Sequence, residues 1–128
     1  GVMYQKEEDN KLALATYPRK KTESSFTVGE DVTWIPSGTG MDRNSFLENI
    51  VFKSGKTTIG VEALNGNSLK NVYLDFEDED TGDTGLYLDG FKFDYYGSEE
   101  KHSHNIYMRK GTSLKHIAEE LQGKVQYY

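Results

Sequence analysis

Apolar residues recur along this chain at fixed phases. The stretch Leu47-Glu-Asn-Ile-Val-Phe52, continuing to Leu64, overlays the stretch from Leu69 to Leu86 when moved 22 positions. Leu47 then falls on Leu69, Asn49 on Asn71, Ile50 on Val72, Phe52 on Leu74, Gly60 on Gly82 and Leu64 on Leu86. Moved 24 positions the other way, Ile50, Phe52 and Ile59 meet Phe26, Val28 and Ile35. Each unit opens with a short alternating run, which puts every second side chain on one face of a strand. Polar turn residues follow (Lys53 to Lys56 in the central unit), and a small cluster from Thr58 to Leu64 brings the chain back. One unit alone has an apolar face with nothing to cover it. Units stacked with their strands in parallel bury those faces against each other, which is the logic of a solenoid with a repeat in the low twenties. Gly60 and Gly82 stand where a chain bending at the same point of each coil needs room.

Three segments carry a resemblance. "VMYQKEEDNKLALATYPRKKTESSFTVGEDVTWIPSG", "SFLENIVFKSGKTTIGVEALNGNSLKNVYL" and "NIYMRKGTSLKHIAEELQGKV" together are similar to the BspA-like leucine-rich-repeat family of bacterial surface and secreted proteins. Val2, Tyr4, Leu12, Tyr17, Pro18, Phe26, Val28, Val32 and Ile35 match that family's opening hairpin, and Tyr107 to Leu121 its closing strand, turn and helix. The sequence departs from the pattern at Leu64 and Leu86, where Phe is usual. No Cys follows them, and the third unit is irregular. The resemblance implies an α/β, strand-rich fold: a short leucine-rich-repeat solenoid with a parallel β ladder, an N-terminal β-hairpin cap and a C-terminal helix cap. On this reading 1–128 is a single domain, with 1–25 the hairpin cap, 26–86 the repeats, 87–104 an insertion and 105–128 the closing strand and helix. It implies extracellular or surface-anchored display and adhesion to host matrix or to other bacteria.

Composition narrows the partners. A length of 128 residues allows one domain with a core, small for a solenoid. The net charge of -6 and pI of about 5.0 argue against nucleic acid or an acidic membrane, since phosphate contacts need clustered Lys and Arg. The absence of Cys removes disulfides, thiol nucleophiles and thiolate metal sites. No apolar run approaches the ~18 residues of a membrane span, and no stretch of these residues reads as a signal peptide. Gly1 ahead of an ordinary strand points to a piece of a longer secreted protein.

Val2 to Tyr4 and Lys11 to Thr16 alternate around the polar Glu7 to Asn10, a hairpin pattern that would cover the first open end of the stack. Arg19 to Ser25 is a basic, solvated loop. Trp34 has two readings, an exposed aromatic anchor or a side chain packed on the 37–44 loop, and Gly38 to Asn44 reads as flexible. The acidic run Asp75 to Asp83 has oxygen ligands for calcium, but with Asp78 at the first EF-hand position Gly82 takes the fifth, where a ligand is needed. Its repeat position makes it a solvent-facing turn.

Beyond Leu86 the repeat stretches. The frame places the next strand near 94, yet the best candidate is Ile106. Leu86 to Tyr96 alternates as strand material, an added hairpin or a recognition insertion. His102 and His104 lack a nearby third zinc ligand. Thr112 to Gln122 is the one clear helix, capped by Thr112, with Leu114, Ile117 and Leu121 as its apolar stripe and Gly123 at its end.

No nucleophile–base arrangement, acid pair in an apolar setting, metal triad or cofactor loop can be assembled, so no enzyme activity and no cofactor are expected. The leading expectation is a protein-binding module whose ligand face is the outward side of the ladder: Thr27, Asn49, Val51, Asn71, Tyr73 and Tyr107. The alternative is glycan binding with Trp34, Tyr87, Tyr95 and Tyr96 as stacking platforms. A third reading, from the similarity of "RKGTSLKHIAEELQGKV" to the opening of peptidoglycan-binding LysM modules, lacks the second helix and returning strand that such a module needs.

Overall fold

A computed structural model describes residues 1–55, 57–60, 63–64, 68–77, 105–112 and 125–128. The described chain is strand-rich, with two sheets and no α-helix among the described residues. The predicted helix from Thr112 falls almost entirely outside them, as does the 87–104 segment.

The first sheet starts with the expected hairpin. Strands β1 (Met3–Lys6) and β2 (Leu12–Thr16) pair antiparallel around a tight turn. Asp9 (φ 55°) and Asn10 (φ 59°) take left-handed conformations there, which short polar side chains tolerate best. The Glu7 amide donates to the Lys11 carbonyl at 2.7 Å and closes the turn. The hairpin covers one end of this sheet, whose order is β1-β2-β4-β6, with β4 (Val32–Ile35) and β6 (Thr58–Ile59) adding in parallel.

The second sheet is all parallel, in the order β3 (Ser25–Val28), β5 (Asn49–Phe52), β7 (Asn71–Leu74), β8 (Asn105–Met108) and β9 (Val125–Tyr127). Its register is continuous: Phe26 faces Ile50, Ile50 faces Val72, Val72 faces Ile106, and Ile106 faces Val125. The sequence pattern anticipated the first three rungs and the choice of Ile106 over residue 94. It did not anticipate β9, because three residues after a helical pattern carry too little alternation to register as a strand.

Inward residues form two columns. Ile50, Val72 and Ile106 are 0% exposed, and Val28, Phe52, Leu74 and Met108 are at most 1%. They meet Leu14, Val32, Ile35 and Ile59 of the first sheet in one apolar cluster. Burial of each large aliphatic or aromatic side chain contributes about 1.5–3 kcal/mol, so these columns dominate the stability. Backbone bonds repeat from coil to coil. Ser24 O accepts from the Glu48 and Asn49 amides, Glu48 O from those of Lys70 and Asn71, and Lys70 O from that of Asn105.

The connection between the sheets is ordered, against the expectation of flexibility for Gly38 to Asn44. Met41 is buried at 2% exposure and Asn44 at 1%. The Asn44 amide donates to the carbonyls of Pro18 and Lys21, both at 2.9 Å, and its oxygen accepts from the amides of Phe46 (2.7 Å) and Leu47 (2.8 Å). A side chain with two donors and two acceptor lone pairs is thereby fully used. Gly40 turns here at φ 104°, and a Cβ on it would lie 2.5 Å from the Tyr17 carbonyl oxygen. Tyr17 itself is fully buried with its ring edge against Phe26, and its hydroxyl has no hydrogen-bond partner among the described residues. Tyr17→Phe is therefore expected to leave the urea midpoint unchanged or raise it slightly, because no bond is lost and a desolvated hydroxyl is removed.

Candidate functional site

The outward face of the five-stranded sheet is ordered side chain by side chain, because a continuous parallel register puts like positions beside one another at about 4.8 Å. The first outward column is polar. The Asn105 amide donates to Asn71 Oδ1 (3.1 Å), that of Asn71 to Asn49 Oδ1 (2.8 Å), and that of Asn49 to Ser25 Oγ (3.2 Å). Each amide spends one of its two N–H donors on this ladder.

The second outward column is Thr27, Val51, Tyr73, Tyr107 and Gln126. Tyr73 and Tyr107 stack with ring centroids 4.7 Å apart and 15° between planes. Tyr128 meets Tyr73 edge-on at 5.7 Å, and the Arg109 guanidinium carbon lies 5.4 Å from the Tyr128 ring centroid. The stack follows from register alone, since strands paired Asn71 to Asn105 must carry Tyr73 beside Tyr107.

Just past the strand ends lies a charged row. The Asp75 carboxylate binds Lys53 Nζ on one oxygen and Arg109 Nε on the other. These two charge-assisted hydrogen bonds, Arg109 first and Lys53 second, hold the Asp75 carboxyl down to about 2, well below its ordinary 3.8. A carboxyl depressed in the folded state stabilises the fold fully above its unfolded pKa and loses that contribution as pH falls through the folded value. Asp75→Asn should therefore flatten the acid limb of a stability-versus-pH curve between about pH 4 and 2 relative to wild type, read by thermal melts. With both oxygens occupied by cations, Asp75 is not presented to a metal ion. The acidic residues from 78 to 83 lie outside the described positions, and no group of three potential metal ligands occurs among the described residues.

The structure thus brings Asn49, Val51, Asn71, Tyr73 and Tyr107 onto one face. Trp34 belongs to the other sheet, paired with Ala13 and Thr58, and is 38% exposed. Tyr87, Tyr95, Tyr96, His102 and His104 lie outside the described residues. Tyr128 and Arg109 extend the face beyond what the sequence reading named. Their signal was present, since Arg109 stands one position beyond the strand just as Asp75 and Lys53 do.

No protein-family model and no curated protein matches this sequence. Among solved structures the chain is similar to a leucine-rich cell surface protein from Faecalibacterium prausnitzii A2-165, at 13% identity and a TM-score of 0.48. The match covers 87% of this chain and 32% of that protein, so the chain spans about a third of the protein it resembles. Likeness at that level assigns neither activity nor partner.

Proposed function

We propose that the chain is a non-enzymatic interaction module, a short leucine-rich-repeat solenoid that binds a protein partner through the outward face of its parallel sheet. The observation that carries this reading is the preassembled aromatic surface of Tyr73, Tyr107 and Tyr128 beside the asparagine ladder. Tyr is favoured at binding hot spots because it offers large apolar area with a polar tip. Rings already held by stacking lose less conformational freedom when a partner docks. The second N–H of the Asn71 and Asn105 amides is a donor for a partner's carbonyl groups, whereas that of Asn49 is directed at the Ser24 carbonyl. The resemblance of the opening hairpin, repeats and closure to BspA-like proteins adds display at a bacterial surface, as a secreted or anchored protein, with host matrix as the partner class.

The test uses immobilised extracellular-matrix proteins and the chain with both Tyr73 and Tyr107 changed to Ala. Loss of a hot-spot pair of this kind costs about 2 kcal/mol or more, so binding should weaken at least about 30-fold while the melting curve stays cooperative. Equal binding by the double variant removes this face from the account. The glycan alternative rests on Trp34, which is exposed on the other sheet, together with three tyrosines outside the described residues.

A further inference from the structure

Away from the ladder, the end of β2 and the loop that follows β4 enclose a cleft of about 440 Å³. It is lined by Thr16, Arg19, Thr39, Gly40, Asp42 and Arg43, among others. Two features set it apart on a chain of net charge -6. Arg19 and Arg43, 24 residues apart in sequence, are brought to the same cleft, and neither forms an ion pair among the described residues, as is also true of several lysines elsewhere on the surface. The Thr39 and Gly40 amides, beside them, also take no part in a backbone hydrogen bond among the described residues, although Thr39 is 6% exposed. Lys20 adds a further positive charge on the adjoining turn.

The cleft is held rigidly. Tyr17 N donates to Thr39 O at 2.9 Å, the Met41 amide to Thr39 Oγ1 at 3.3 Å, and the Arg43 amide to Gly40 O at 3.0 Å. Gly40 is packed so closely on the Tyr17 carbonyl that no side chain fits there, and its built Cβ would lie 3.7 Å from Arg19 Cγ. This packing fixes the loop against the end of β2 beside the Arg19 stem.

We infer that this cleft binds the acidic group of a sugar, a carboxylate or sulfate on a single saccharide unit, through the Arg19 and Arg43 guanidiniums. Guanidinium forks match such oxyanions with paired hydrogen bonds. The Thr16 and Thr39 hydroxyls and the loop amides suit the surrounding sugar hydroxyls. The lining has no exposed aromatic or large aliphatic anchor of the kind an acidic peptide would need for a hot spot. Asp42 sits at the same cleft and opposes the anion, so it limits affinity and excludes densely charged ligands. This site is independent of the tyrosine face.

The experiment is an amide-resolved NMR titration of the chain with glucuronate, glucose 6-sulfate, neutral glucose and a short poly-aspartate peptide. The two acidic sugars are expected to shift the Thr39, Gly40 and Arg43 amides saturably, with glucose at least about tenfold weaker. Arg19→Ala with Arg43→Ala should weaken acidic-sugar binding at least about tenfold, the equivalent of one charge-assisted hydrogen bond. Arg19→Lys with Arg43→Lys should give an intermediate loss, and Asp42→Asn should strengthen binding. Both arginines are exposed, so the variants should retain the wild-type spectrum elsewhere. Equal binding of glucose, binding of poly-aspartate alone, or no saturable shift with any of the four ligands would overturn the assignment.

Discussion

Asn44→Ala is expected to lower the unfolding free energy by more than about 3 kcal/mol, read from urea denaturation. Four partners lose their bond at once: the carbonyls of Pro18 and Lys21 and the amides of Phe46 and Leu47. A buried backbone group left without a partner costs about 1–3 kcal/mol, and water entering the gap recovers only part of that. Against a typical domain stability of about 5–15 kcal/mol, the loss is large enough to depopulate the fold at moderate temperature. Asn44→Asp separates the two halves of the effect. It keeps the acceptors for Phe46 and Leu47 but turns a carboxylate toward two carbonyl oxygens. Burial and those oxygens raise such a carboxyl in the folded state, so its destabilisation should shrink as pH falls below that raised value. A variant whose deficit grows on acidification would show that the two donated bonds matter little.

Gly60→Ala is expected to cost about 2–3 kcal/mol, although glycine to alanine outside a turn usually stabilises. A Cβ at this position would lie 2.8 Å from the Ser37 amide nitrogen and 3.2 Å from the Ile35 carbonyl oxygen. Both are backbone atoms of the preceding coil and cannot swing aside. The Gly60 amide also donates to Ile35 O at 2.7 Å, so separating the two coils to admit the methyl breaks the bond that joins them. A thermal melt within a degree of wild type would mean that the coils are not stacked this closely.

Much of the fold was legible in the sequence because the strands obey a two-residue alternation at a nearly constant offset. Phe26, Ile50 and Val72 could be aligned without any structure, and Gly60 could be marked as a place of close approach. Ile106 lies 12 positions beyond where the repeat frame placed the next strand, and in the structure its neighbours Tyr107 and Met108 fall beside Tyr73 and Leu74. What escaped were features that depend on polar geometry rather than on period. Asn44 sits in a run of Gly, Thr, Asp, Arg and Asn that looks like solvated loop, and only the tertiary fold shows its amide reaching back more than 20 residues to Pro18 and Lys21. An Asn two to three residues ahead of the amides it binds is a known local motif, so a signal existed, though a weak one.

The same contrast holds for the face. Tyr73 and Tyr107 were predicted neighbours by register, and their stacking follows. The ion-pair row of Lys53, Asp75 and Arg109 joins charges 22 and 34 residues apart, and alternation says nothing about positions beyond a strand end. Thr57, fully buried and donating to Val32 O at 2.7 Å, escaped for the same reason.

The central claim is that successive coils lie in parallel register, so that Val72 is flanked by Ile50 on one side and Ile106 on the other. Cross-strand nuclear Overhauser effects measure this directly. The account predicts contacts from Val72 to both Ile50 and Ile106, with the staggered amide-to-Hα pattern of parallel strands continuing from Tyr73 to Val51 and Tyr107. Close Hα–Hα contacts between these strands, the mark of antiparallel pairing, or a Val72 flanked by any other pair of strands would contradict it.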